Sequence, residues 1–208
     1  MDKKINDLIK SWQKRNISGF FFKDARETVE KIKSIIPKDA SVGISGSVTL
    51  NELGIVAELE QRGNRVFNQY RSGITRGESL EFRNQGAQAD YYLASANAVS
   101  ETGELIFLSA YGNRIAGVSN AKNVIIVCGI NKLEPTLEKA LKRAREYAAP
   151  LNCKRLNWNS ACLQEGICRQ DICFSPEYKR MCCNTLIVEA EVIPDRLKVI
   201  LVKQKLGF

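Results

Sequence analysis

Seven cysteines and no histidine set the chemistry this chain can attempt. Six of the cysteines fall between Cys153 and Cys183. The spaced row Cys162, Cys168, Cys173 and Cys182, with Cys183 adjacent, is a candidate metal site. Thiolates are soft donors that hold an iron–sulfur cluster or a tetrahedral zinc, and spacing alone does not choose between them. The row is neither the doubled C-x-x-C of a zinc ribbon nor a ferredoxin run. Clustering of this kind in a cytosolic chain favours metal or redox chemistry over structural disulfides. The plainer alternative is a set of reduced cysteines packing a small subdomain. Cys153 is expected to stand outside the ligand set, and Cys128, inside an apolar run, to be a small core residue. Without histidine, this chain cannot build an imidazole-based triad or a zinc site with a histidine ligand.

A second group of residues has the types and spacing of a ligand site. Gly43, Ser45, Gly46 and Ser47 form a small-residue turn from a short strand into a helix, followed by Thr49 and Glu52 at capping-box spacing, with Ser47 as the alternative cap. Free backbone N–H groups at such a helix start suit phosphate or carboxylate. The turn is neither a Walker loop nor a G-x-G-x-x-G. Asn97, Thr102, Gly103, Asn113 and Arg114 are polar residues in the stretch 90–133, where strand ends would present them; Arg114 can fork onto a carboxylate or phosphate. Glu101, beside Thr102 and Gly103, is the candidate catalytic carboxylate, as nucleophile or general base. Read without chemistry, it is a turn residue with its carboxylate in solvent.

The elements that must position these residues follow from apolar periodicity. Ile5, Leu8, Ile9 and Trp12 mark a first amphipathic helix, and Ala25, Val29 and Ile32 a second, ended by Pro37. Phe20 to Phe22 reads as an apolar break that packs into the core. The spans 41–44, 66–70, 90–96 and 123–128 read as buried strands, 74–87 as a polar helix or crossover, and 133–148 as a helix stopped by Pro150. Strands alternating with helices imply βαβ units and a mostly parallel sheet. Residues 185–193 and 196–202, joined at Pro194-Asp195, are expected to form an antiparallel hairpin closing that sheet. The expectation is one α/β domain over 1–208, with 151–183 a cysteine-rich irregular insertion. In an open α/β sheet the ligand crevice lies at the carboxyl ends of the strands.

The chain has 208 residues, 44% hydrophobic and 26% charged, as in ordinary soluble domains. Its net charge of +8 comes from basic residues interleaved with Glu along helices. That pattern favours a solvated surface suited to anionic metabolites over a nucleic-acid interface. Apolar runs are too short to span a bilayer and no secretory signal is visible, so the cytoplasm is the expected location.

The segments VGISGSVTLNELGI, ASANAVSETGELIF, GNRIAGVSNAKNVIIVCGINKL and LKVILVKQKLGF resemble, in order, the LUD-domain family. The resemblance implies a three-layer α/β fold like that of sugar-phosphate isomerases and CoA transferases (the NagB/RpiA/CoA-transferase-like fold), which does not by itself specify an activity. It also implies a link to iron–sulfur-dependent oxidation of L-lactate to pyruvate, with oxidoreductase partner subunits. Small family members carry a C-terminal cysteine cluster whose middle pair is closer than here, leaving Cys173, Cys182 and Cys183 open as ligands. The leading expectation is a small anionic metabolite or nucleotide-like ligand bound beside a cysteine-held cluster, or zinc. The alternative is a transferase or isomerase using Glu101, with structural cysteines.

Overall fold

The computed structural model describes residues 2–208. In chain order the elements are α1 (Asp2–Lys14), β1 (Ser18–Phe22), α2 (Ala25–Ile35), β2 (Ser41–Ile44), α3 (Val48–Glu52), α4 (Ile55–Gln61), β3 (Arg65–Phe67), α5 (Arg76–Ala87), β4 (Tyr91–Ala94), β5 (Ala98–Ser100) and β6 (Leu105–Ser109). Then come α6 (Asn113–Asn120), β7 (Asn123–Gly129), β8 (Leu133–Glu134), α7 (Leu137–Arg143), α8 (Ala149–Arg155), α9 (Ala161–Glu165), β9 (Asn184–Val188) and β10 (Leu197–Val202).

Six strands form a parallel sheet in the order β1-β10-β7-β4-β2-β3. Its central strands are apolar at nearly every position, Asn123 of β7 and Lys198 of β10 among the exceptions, because both faces are covered. Tyr92, Ala94, Val124, Ile126, Cys128, Val199 and Leu201 pack against α1 and α6. The alternate residues Leu93, Ile125, Val127, Ile200 and Val202 pack against α2, α3 and α4 on the other face. Trp12 is fully buried in the first of these layers, and its indole N–H donates to Gly103 O at 2.9 Å. The chain is thus an α/β fold with a parallel central sheet and helices around it. A second sheet, ordered β8-β5-β6-β9, adds Val99, Leu105 and Phe107 to the α1 side.

Three local expectations change. The C-terminal strands are not a hairpin: β10 inserts in parallel between β1 and β7, while β9 pairs antiparallel with β6 in the other sheet. Their burial explains the split. All of β10 except Lys198 is buried, as a central strand requires, whereas β9 is at most half-buried, as suits a sheet edge. Phe20 to Phe22 is not a break but the body of β1, the edge strand beside β10. Pro150 does not stop its helix: α7 passes through a π turn at 144–148 into α8, whose first turn holds Pro150.

Two features place the crevice. Chain connections leave β2 toward β3 and leave β4 toward β7, in opposite directions, so the adjacent pair β2 and β4 forms the switch point of the sheet. Gly43 lets the sheet approach α5 closely; a Cβ there would stand 2.0 Å from the Gly86 carbonyl oxygen.

Candidate functional site

A cavity of about 330 Å³ opens at that switch point. Its floor is made by residues following three parallel strands: Ser45 to Thr49 after β2, Ser95 to Asn97 after β4, and Lys132 after β7. Asn113 and Arg114 from the first turn of α6 close one side, and Gly207 and Phe208 another. Ser47, the alternative cap, is the one used: its Oγ accepts from Leu50 N at 3.3 Å. Thr49 and Glu52 are then free for other work. Thr49 Oγ1 donates to Leu206 O at 3.1 Å, and Glu52 Oε2 accepts from Gly207 N at 2.7 Å. The helix start thereby fastens the segment after β10 over the cavity.

Arg114 ties the loops together. Its Nη1 donates to Asn97 Oδ1 at 3.0 Å and Leu108 O at 3.2 Å, and its Nη2 to Gly46 O at 2.8 Å. The Nε is buried with no hydrogen-bond partner among the described residues, and so is Ser45 Oγ beside it in the cavity lining. Buried donors without partners are rare in native structures, and a ligand is one reason for them. Burial pushes the guanidinium below its ordinary value, yet arginine stays cationic in proteins.

Lys132 was not among the candidates. It lies just past β7 with 3% of its surface exposed. Its Nζ donates to Ser95 Oγ at 2.8 Å, Thr49 Oγ1 at 2.9 Å and Ala96 O at 3.2 Å, all neutral acceptors. Burial lowers its pKa to about 8, and no carboxylate among the described residues is hydrogen-bonded to it. A Lys four residues after the apolar run Val124 to Cys128, with no acid within four residues on its N-terminal side, was the available signal.

The cavity mouth is aromatic. Arg83 lies over the Tyr111 ring at 4.7 Å, and Trp158 meets that ring edge-on at 6.1 Å. Gly46 admits Tyr70 there, since a Cβ would fall 2.4 Å from the phenol oxygen. Among the described residues, four basic side chains line the cavity, Arg83, Arg114, Lys132 and Arg155, and no acidic one.

A model of the LUD domain matches residues 5–202. The chain belongs to the LUD domain family. No curated protein matches it. Among solved structures, this LUD domain is similar to a DUF162 family protein from Deinococcus radiodurans, with a TM-score of 0.52 and 12% identity over 96% of this chain and 94% of that one. That likeness carries the fold.

The structure divides the sequence candidates into three places. Ser45, Gly46, Ser47, Thr49, Asn97, Asn113 and Arg114 line the cavity, whereas Gly43 lies inside β2 and serves its packing. Glu101, Thr102 and Gly103 do not join them, because β5 carries the chain from Asn97 to the opposite end of the β5–β6 hairpin. There the Glu101 carboxylate pairs with Lys4 at 3.1 Å over a separate groove formed with Ile5, Leu8, Ile130 and Leu133. Thr102 O accepts from Ser11 Oγ at 2.6 Å, and Gly103 holds a φ of +117° against Arg15.

The cysteines form the third place. Cys162, Cys168, Cys173 and Cys182 line one small cavity together with Cys153, expected to stand apart, while Cys183 is exposed and donates to Arg180 O at 3.0 Å. Arg145, Arg169 and Arg180 surround it, and Ala149 and Met181 are shared with the larger cavity. Burial, aided by the neighbouring thiols, pushes the Cys153 thiol up to about 12. The space is about 20 Å³, near the size of one water, and among the described residues no three metal-binding side chains converge on a point. No helix among the described residues is long and apolar enough to cross a membrane.

Proposed function

We propose that this LUD domain binds a small anionic metabolite in the cavity at the β2–β4 switch point. The observation carrying this reading is the charge balance there: four basic side chains, no acidic one, and the partnerless Arg114 Nε and Ser45 Oγ. A buried ammonium and guanidinium without a counter-charge are costly, and a bound anion supplies it. The aromatic mouth of Tyr70, Tyr111 and Trp158 extends the reading to nucleotide-like ligands, whose bases stack on such faces.

The family's association with lactate utilization points to a hydroxy or oxo acid as ligand. On this reading the chain serves an oxidoreductase system in the cytoplasm, alongside partner subunits. Cys162, Cys168, Cys173 and Cys182 would hold an iron–sulfur cluster beside the ligand. The donor set fits, since five thiols face one space ringed by arginines that offset thiolate charge. A cluster is preferred to zinc because it lets each sulfur meet a different iron, whereas zinc needs four on one centre. Either requires the irregular segment to open around it. Such a cluster would supply one-electron transfer; the chain's own contribution is to bind and orient the anion next to it. The transferase or isomerase alternative would act from Glu101 at the far end of the hairpin, and no observation favours it.

Thermal melts with L-lactate, pyruvate, inorganic phosphate and a nucleoside monophosphate test the binding reading. At least one should raise the melting temperature, and Arg114→Met should abolish that rise; no response to any would overturn it. Anaerobic purification with iron, sulfide and zinc analysis tests the cysteine site. Matched iron and sulfide support a cluster, and a metal-free protein contradicts it.

A further inference from the structure

The cavity holds one group that can do more than attract an anion. Its serine and threonine hydroxyls have no histidine or carboxylate beside them to take a proton, so none is an activated nucleophile. Lys132 differs: its side chain reaches the cavity floor from β7, and its Nζ is fixed by three neutral acceptors rather than neutralised by an acid. Planar anions are read better by the fork of arginine, which Arg114 already provides; what lysine adds is a nucleophilic amine. We propose that Lys132 forms a Schiff base with the aldehyde or ketone of an anionic ligand whose charged group is held by Arg114. The inference rests on the cavity being the ligand site.

The neutral Nζ adds to the carbonyl carbon, giving a carbinolamine. A C=N bond then replaces C=O, and the oxygen leaves as water with the two amine protons; no oxidant or reductant takes part. Ser95 is placed to relay those protons: its Oγ lies 2.8 Å from Nζ, and 3.3 Å from Thr49 Oγ1. The charges facing Nζ set its readiness. Burial, Arg143 and Arg114 favour the neutral amine, while Cys128 and Glu52 oppose it. The outcome is a neutral fraction at pH 7 roughly three hundredfold above that of an exposed lysine.

The test is reduction by borohydride in the presence of glyoxylate, a carboxylate-bearing aldehyde, followed by peptide mapping. Lys132 should carry the carboxymethyl adduct about tenfold more than any exposed lysine, and excess inorganic phosphate should suppress it. Lys132→Arg should lose the adduct yet keep stabilisation by phosphate. If phosphate stabilises the wild-type chain but Lys132 is labelled no more than exposed lysines, the Schiff-base inference fails and the anion site stands. If phosphate, lactate and pyruvate neither stabilise the chain nor shield Lys132, and no adduct forms, both fail.

Discussion

Two buried charges, Lys132 and Glu104, lie at opposite ends of the same region and are treated in opposite ways. Glu104, in the β5–β6 turn, accepts from the Ser100 and Thr102 hydroxyls and forms a 2.9 Å ion pair with Arg15. Burial works to raise its carboxyl, but those hydroxyls and the guanidinium outweigh it, and the group sits below its ordinary value. One of its oxygens braces the hairpin turn and the other ties that turn to Arg15, just after α1. Lys132 has hydrogen bonds only to neutral acceptors among the described residues, faces a cavity, and has the partnerless Ser45 Oγ and Arg114 Nε as neighbours in the lining. A satisfied buried charge is scaffold; an uncompensated one beside a cavity is a site.

Substitutions should separate the two ends. The largest expected effect on stability is at the scaffold. Glu104→Ala strands the partly buried Arg15 and removes the acceptor of two hydroxyls, and should cost about 3 kcal/mol in chemical unfolding. Lys132→Met should change stability at neutral pH by less than about 1 kcal/mol, or raise it, because Thr49 and Ser95 retain other partners. The same substitution should weaken anion binding by about tenfold or more in calorimetry.

The two charges also carry pH signatures. Between about pH 8 and the ordinary lysine value of 10.5, the unfolded chain binds a proton that folded Lys132 has released. Stability contributed by this group therefore rises with pH across that window, and the rise should vanish in Lys132→Met. Anion binding should weaken above about pH 8 as the ammonium deprotonates. Glu104 has the same sign in a different window: its lowered carboxyl stabilises the fold above the ordinary carboxylate range, and that contribution is lost as pH falls below it. The smallest effect belongs to Glu101→Gln, which removes an exposed pair with Lys4. It should cost under about 1 kcal/mol and leave anion-induced stabilisation intact.

Strong periodicity made much of the fold legible. The runs at Tyr91 and Val124 had to be central strands, and Asp24 and Pro37 bracketed α2 as helix-boundary chemistry predicts. The last two strands misled because apolar content alone does not reveal a partner; only burial on both faces of β10 marks it as central. Within the site, the Ser45–Thr49 turn and Arg114 were visible as small-residue and Gly-Asn-Arg loops. Lys132 was hidden because a single lysine after a strand usually points to solvent. Glu101 was read together with Asn97 because β5 is only three residues long, and closeness in sequence concealed that a strand separates them. The convergence of Cys153 with the other four cysteines depends on α8 continuing past Pro150, which the sequence read as a stop.

The most direct test of the central claim is a calorimetric titration of inorganic phosphate, L-lactate and pyruvate into wild type, Lys132→Met and Glu101→Gln at pH 7. The account predicts that at least one anion binds wild type and Glu101→Gln alike and is weakened about tenfold or more in Lys132→Met. Equal binding to wild type and Lys132→Met, or loss in Glu101→Gln alone, would contradict it.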